Sequence, residues 1–176
     1  MVAPGAGLAF HTAFNGEADV AQGILDLAAG YTGYAPQPAF DPADPDSLPY
    51  PALDLQHRIN YVPLLTSRGC PFDCAYCASG ILDPVRMVRS PLNVVEEIAH
   101  WHGRCGVVDF AFYDDALLVD ADRHFIPILE GVIRKGLRLR FHTPNAVHIR
   151  ALTGATARLM FAAGFKTIRL GLETTA

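Results

Sequence analysis

YVPLLTSRGCPFDCAYCASG, Tyr61 to Gly80, is the stretch on which the reading of this chain turns. It opens as a short apolar run in which Pro63 suits the start or edge of a strand, since proline has no N–H to give to a sheet ladder. It then places three cysteines within eight residues, Cys70, Cys74 and Cys77, spaced C-x₃-C-x₂-C with no fourth beside them. A structural zinc site takes four ligands, commonly as two C-x₂-C halves, and a thioredoxin-like pair uses one C-x-x-C alone. Three thiolates in one tight loop suit a 4Fe-4S cubane, which they would hold at three irons while the fourth stays open.

Working outward, GVVDFAFY (Gly106 to Tyr113), LRLRFHT (Leu137 to Thr143) and KTIRLGLE (Lys166 to Glu173) read as further strands. Between them, SPLNVVEEIAHWHG from Ser90, DADRHFIPILEGVIRKG (Asp120 to Gly136, with Pro127 a candidate kink) and TGATARLMFAAG (Thr153 to Gly164) carry helical period. Strand and helix in strict alternation predict an α/β fold of parallel βα units. Ligand chemistry in such folds collects at the carboxyl ends of the strands. That end is expected to gather the cysteine loop after the first strand, Asp114 and Asp115 after the second, His142, Thr143 and Asn145 after the third, and Glu173 at the fourth. Upstream lie a helix over Glu17 to Ala29 that should stop at Gly30, and a Pro- and Asp-rich linker from Tyr34 to Asp54. A parallel sheet ending on a bare strand leaves an unpaired edge, so the chain reads as part of a longer barrel. An open doubly wound sheet, with a late strand placed centrally, is the alternative.

Bulk properties narrow the function. A chain of 176 residues with 51% hydrophobic residues is long enough for one domain with a real core. The formal net charge of −4, without a basic block, gives no sign of a nucleic-acid partner. No segment reaches the length of a membrane span and no secretory signal opens the chain, so a cytoplasmic protein is expected. Crowded thiols in a reducing compartment point to metal or redox chemistry more than to disulfides.

The loop CPFDCAYC resembles the cluster-binding loop of the radical S-adenosylmethionine (radical SAM) superfamily, set after the first strand of a partial (β/α)₆ TIM-like barrel. The resemblance covers Tyr61 to Ala176 and about four of the barrel's parallel strands. It implies a 4Fe-4S cluster on Cys70, Cys74 and Cys77 and S-adenosylmethionine (SAM) on the open iron. Reductive cleavage of SAM then gives a 5′-deoxyadenosyl radical that abstracts a substrate hydrogen. It further implies Tyr76 near the adenine, Asp114 or Asp115 toward the SAM amino group, and Glu173 toward the ribose or methionine. The Gly-Gly-Glu-like motif of many members is replaced here by FYDD. A finer likeness, carried by LPYPALDL, HTPNAVHIRALT and AGFKTIRLGLET, is to members with a cobalamin-binding domain before the barrel. On that likeness residues 1–58 are the remnant of the preceding region with its linker, and 59–176 are an incomplete radical SAM core domain. Cobalamin would belong to the full-length family and is not expected to bind this fragment. The implied partners are a small-molecule or peptide substrate and a reductase or flavodoxin-type electron donor; the implied reactions are methylation, cyclisation or rearrangement.

Plainer roles stand beside these. The cysteine loop could bind zinc or serve a non-catalytic module, and Cys105 reads as a small core residue. His100 and His102 near a helix end suit interfacial or capping roles, and His142 and His148 suit satisfied structural histidines. Asp114 and Asp115 could cap the segment entering the next helix.

Overall fold

In the computed structural model, residues 17–33, 41 and 43–171 are described. The chain divides into two units, Met1–Ala39 and Phe40–Ala176. The first contains helix α1 (Glu17–Thr32). Gly30 does not end this helix; the left-handed residue that follows its last turn is Gly33, at φ +68°.

The second unit holds everything else. In chain order it comprises β1 (Val62–Leu64), β2 (Ser67–Arg68), α2 (Ser79–Leu82), β3 (Met87–Val88), α3 (Pro91–Cys105), β4 (Asp109–Phe112), α4 (Phe125–Arg134), β5 (Arg140–His148), α5 (Gly154–Ala163) and β6 (Phe165–Gly171). The strands β1, β4, β5 and β6 form one parallel sheet in that order. Each strand therefore lies beside the one before it in the series, as in a barrel wall, and the doubly wound alternative with a central late strand does not hold. The boundary expected at 58/59 falls inside this unit. Leu53 belongs to its core, and the Asp46 carboxylate accepts the Ser90 N–H at 2.8 Å.

Local chemistry explains the elements. Ser90 caps α3 by accepting the Asn93 N–H, with Pro91 at the first helical position, where its missing donor costs nothing. Thr153 caps α5 in the same way through the Thr156 N–H. Gly164 ends α5 at φ +105°, and a Cβ there would meet the Leu139 carbonyl oxygen at 2.3 Å, so only glycine fits. Pro127 causes no kink, because α4 starts at Phe125 and the proline sits in the first turn, where the N–H has no helical partner.

Strand alternation sends Phe110 and Phe112 to the helix-covered face, where they join Phe125, Phe141 and Phe165 in one aromatic cluster. The Phe112 and Phe165 rings stack at 5.7 Å, and Phe125 meets both edge-on. Helices α3, α4 and α5 pack in sequence over this face. Cys105 is exposed at the end of α3, not part of the core, because the helix terminates there and Gly106 turns the chain away.

Candidate functional site

The cysteine loop is closed by a stem. Ser67 pairs with Val88 and Arg68 with Met87 in the antiparallel β2–β3 ladder, and the Arg89 N–H adds a bond to the Thr66 carbonyl at 3.0 Å. Residues 69–86 thus form one loop projecting from the carboxyl end of β1. Gly69 sits at its base with φ +74°, and a Cβ there would come within 2.8 Å of the Val85 carbonyl oxygen. Cys70 and Cys74 are half-buried, Cys77 is exposed, and none is in a disulfide. The Cys77 N–H closes a turn on the Cys74 carbonyl at 3.0 Å. Among the described residues no three His, Cys, Asp or Glu side chains converge as a metal-binding group, so the three thiols share the loop without meeting at one point. Their chemistry nonetheless fits an iron–sulfur cluster: three thiols outside any disulfide, on one loop whose base is closed by the β2–β3 stem.

The two aspartates after β4 point opposite ways. Asp114 is buried and accepts five hydrogen bonds, from the Thr66 N–H to both carboxylate oxygens and from Thr66 Oγ1, the Ser67 N–H and Ser67 Oγ to Oδ1, at 2.6–3.2 Å. Burial pushes its carboxyl above the usual carboxylate range, against the pull of the Thr66 and Ser67 hydrogen bonds. Asp115 is exposed, and its Oδ2 accepts from Ser79 Oγ at 3.4 Å. Ser79 in turn donates its N–H to Cys77 Sγ at 3.4 Å and lies 3.2 Å from that sulfur through Oγ. Of the pair, Asp115 is the one open to solvent beside the cysteines.

Behind Asp114 stands a residue the sequence reading missed. His124 is buried, and its Nε2 lies 2.9 Å from Thr66 Oγ1. Thr66 gives its hydroxyl proton to Asp114, so His124 must donate, which fixes the Nε2–H tautomer and leaves Nδ1 buried without a hydrogen-bond partner. Burial, with Arg86 and Arg89 nearby, lowers its pKa from 6.5 to about 4.

Other expected residues are distributed differently. His142, Thr143 and Asn145 lie within β5, because the strand runs on to His148 through shifts in register around Thr143 and Val147. Asn145 donates to the Tyr113 carbonyl at 2.7 Å, tying β5 to the residue that follows β4. His148, at the carboxyl end of β5, meets the Phe72 ring of the cysteine loop at 4.6 Å. Tyr76 is exposed on the loop, and Glu173 lies outside the described residues. His102 Nδ1 is hydrogen-bonded to the Val107 carbonyl at 2.9 Å, and His100 lies between the Tyr50 and Trp101 rings, as interfacial residues do.

The sheet face opposite the helices has a concavity of about 510 Å³ whose walls include Tyr61, Asp109, Tyr113, His142, Thr167 and Arg169. His142 bridges Asp109 and Thr167 across three adjacent strands, and Arg140 holds the other side of Asp109. The Arg140 hydrogen bond, with help from His142, keeps the Asp109 carboxyl below its ordinary range. The Tyr61 and Tyr113 hydroxyls meet at 3.4 Å, a bond that raises Tyr113 above the usual phenol range.

No family model matches the chain. It is 28% identical over 167 residues to an uncharacterized methyltransferase of Pyrococcus horikoshii, a match that covers 88% of this chain and 35% of that protein. The chain thus spans about a third of the length of this relative. Among solved structures it is similar to the radical S-adenosylmethionine methyltransferase TsrM from Kitasatospora setae, with cobalamin and a [4Fe-4S] cluster bound. The TM-score is 0.57 at 21% identity, over 63% of this chain and 20% of that one. TsrM solved with a tryptophan substrate and the SAM analogue aza-SAM matches equally, at TM-score 0.57 and 21% identity over 64% of this chain and 22% of that one. The likeness shows a shared fold, a parallel α/β wall consistent with part of a barrel. Among the described residues no helix is long and apolar enough to cross a membrane.

Proposed function

We propose that this chain is part of a radical SAM protein of the cobalamin-associated kind, with methylation the favoured reaction and cyclisation or rearrangement the alternatives. The observation that carries this is the three-thiol loop at the carboxyl end of β1, in a parallel sheet whose fold matches a radical SAM methyltransferase. Cys70, Cys74 and Cys77 would hold a 4Fe-4S cluster, and Tyr76, Asp114 or Asp115, and Glu173 are the proposed SAM contacts. Asp115 is favoured over Asp114, whose oxygens already serve Thr66 and Ser67. When bound, the cluster supplies the electron for reductive cleavage of SAM. The chain's own share is to position: the stem fixes the base of the loop, and Asn145 ties β5 to the residue after β4. The tyrosine-lined concavity offers a wall for a small-molecule or peptide substrate. A flavodoxin-type donor in a reducing cytoplasm would supply the electron, and cobalamin would belong to the full-length protein and is not expected to bind this chain.

Anaerobic reconstitution tests the reading. The chain should turn brown and take up iron and sulfide, the Cys70/Cys74/Cys77→Ala variant should take up neither, and SAM should alter the electron paramagnetic resonance of the reduced protein. Cys105→Ala should behave as the parent. The second reading is a non-catalytic metal-binding module on the same three thiols, none of which is in a disulfide. A colourless zinc-loaded protein, or a reduced spectrum unmoved by saturating SAM, would favour it.

A further inference from the structure

The cysteine loop is gripped by two neighbouring carboxylates that reach its two sides. Asp114 takes the backbone N–H groups and hydroxyls of Thr66 and Ser67, the residues entering the stem. Asp115, one residue on, reaches Ser79, which follows the last cysteine and touches Cys77 Sγ through both N–H and Oγ. Both aspartates follow β4, which ends at Phe112, and where the chain turns there one dipeptide serves a buried and an exposed partner.

From this arrangement we propose that Asp114 and Asp115 are positioning residues that clasp the cysteine loop before Cys70 and after Cys77, Asp114 through Thr66 and Ser67 and Asp115 through Ser79. This rests on the reading of that loop as the cluster site. The two clasps differ in kind. Asp114 is a buried anchor whose donors would be left facing an amide nitrogen or empty space if it changed. Asp115 acts through Ser79 on the sulfur. While its carboxylate accepts the Ser79 hydroxyl proton, that hydroxyl is not free to donate to a Cys77 thiolate. Hydrogen bonds to ligating sulfur and nearby charge set the reduction potential of such clusters. Removing the Asp115 charge releases the hydroxyl toward the sulfur and lessens the negative field, and both changes raise the potential.

The 176-residue chain and its Asp114→Asn, Asp115→Asn, Ser79→Ala and Ser79→Thr variants decide the matter by two measurements. Amide hydrogen exchange on the cluster-free protein should accelerate at least tenfold at Thr66 and Ser67 in Asp114→Asn alone. It should accelerate around Ser79, with the stem unchanged, in Asp115→Asn and Ser79→Ala. In the reconstituted protein Asp115→Asn should raise the midpoint potential, the Asp115→Asn/Ser79→Ala double variant should show a smaller rise, from the field alone, and Ser79→Thr should retain the parent potential. Unchanged exchange in both aspartate variants overturns the clasp. So does an Asp115→Asn variant that keeps the parent exchange and potential yet binds SAM more weakly, which would make Asp115 a ligand contact. If the parent chain takes up no cluster, the functional reading fails while the exchange measurement still judges the clasp.

Discussion

Asp114 and Thr66, 48 residues apart in sequence, are joined by three hydrogen bonds, two from the Thr66 N–H and one from its hydroxyl at 2.7 Å. The carboxylate is 3% exposed and Thr66 is wholly buried. The contact therefore locks the end of β4 to the residue that leads into the cysteine loop. Asp114→Asn keeps the shape but turns an NH₂ toward donors that need an acceptor. A buried donor without its partner costs about 1–3 kcal/mol, and we expect a loss of that size in urea denaturation. Equal midpoints for parent and variant would show the contact to be dispensable.

His124 makes the same site acid-sensitive. Its native pKa of about 4 lies below the ordinary 6.5, so between those values the unfolded chain binds more protons than the folded one. Stability contributed by keeping His124 neutral is complete above pH 6.5 and is lost as pH falls toward 4. The depression corresponds to on the order of 3 kcal/mol. Asp114 works the other way, because a raised carboxyl pKa favours the fold at low pH. The comparison that isolates the histidine is parent against His124→Gln, which keeps a donor for Thr66 and cannot titrate. Denaturation midpoints from pH 7 to pH 4 should fall more steeply for the parent; parallel profiles would remove His124 as the cause.

Arg89 braces the site from the other side. Its guanidinium donates to the Leu65 carbonyl at 3.1 Å and to Glu97 at 2.6 Å, and Glu97 is 1% exposed. Removing the cation leaves a carboxylate buried alone, which costs about 3–5 kcal/mol, whereas replacing both charges with apolar groups is often neutral. Arg89→Met should therefore destabilise by that amount, and Arg89→Met/Glu97→Leu should recover most of it. A double variant no better than the single would show that the guanidinium acts through Leu65 and Asn93 instead.

The sequence showed the architecture wherever a residue's role depends on its near neighbours. Ser90-Pro91 and Thr153 with Gly164 are complete helix signals in themselves, and the αβ alternation required the parallel sheet. It did not show the two-residue strands of the stem, because Ser67-Arg68 and Met87-Val88 are too short to carry a period. His124 was also illegible, since its meaning comes from a threonine 58 residues away. The division between the aspartates was within reach: Phe110, Phe112 and Asp114 alternate, which puts Asp114 on the buried face with the phenylalanines and Asp115 on the other. The extent of β5 was hidden by Pro144, which reads as a strand end yet sits within the irregular pairing between β5 and β6.

Gly69 tests whether the base of the cysteine loop must be rigid for the loop to bind metal. It holds φ +74°, and a Cβ would lie 2.8 Å from the Val85 carbonyl oxygen and 3.0 Å from that of Asp83. Both obstacles are backbone atoms, which cannot swing aside as the end of a side chain can. Alanine that holds the left-handed conformation, at a cost of about 1–2 kcal/mol, still meets both carbonyls, so it must part the two sides of the loop. Parting them separates Cys70 from the anchored Thr66 and Ser67. Gly80→Ala is the matched control, because nothing lies within 4 Å of its added carbon. We expect Gly69→Ala to retain the fold of the sheet by circular dichroism, to exchange its Arg68 and Gly69-site amides faster, and to take up much less iron on anaerobic reconstitution than Gly80→Ala. If Gly69→Ala instead matches the control in iron content, the stem is not what prepares the three thiols, and their arrangement must be set by the metal itself.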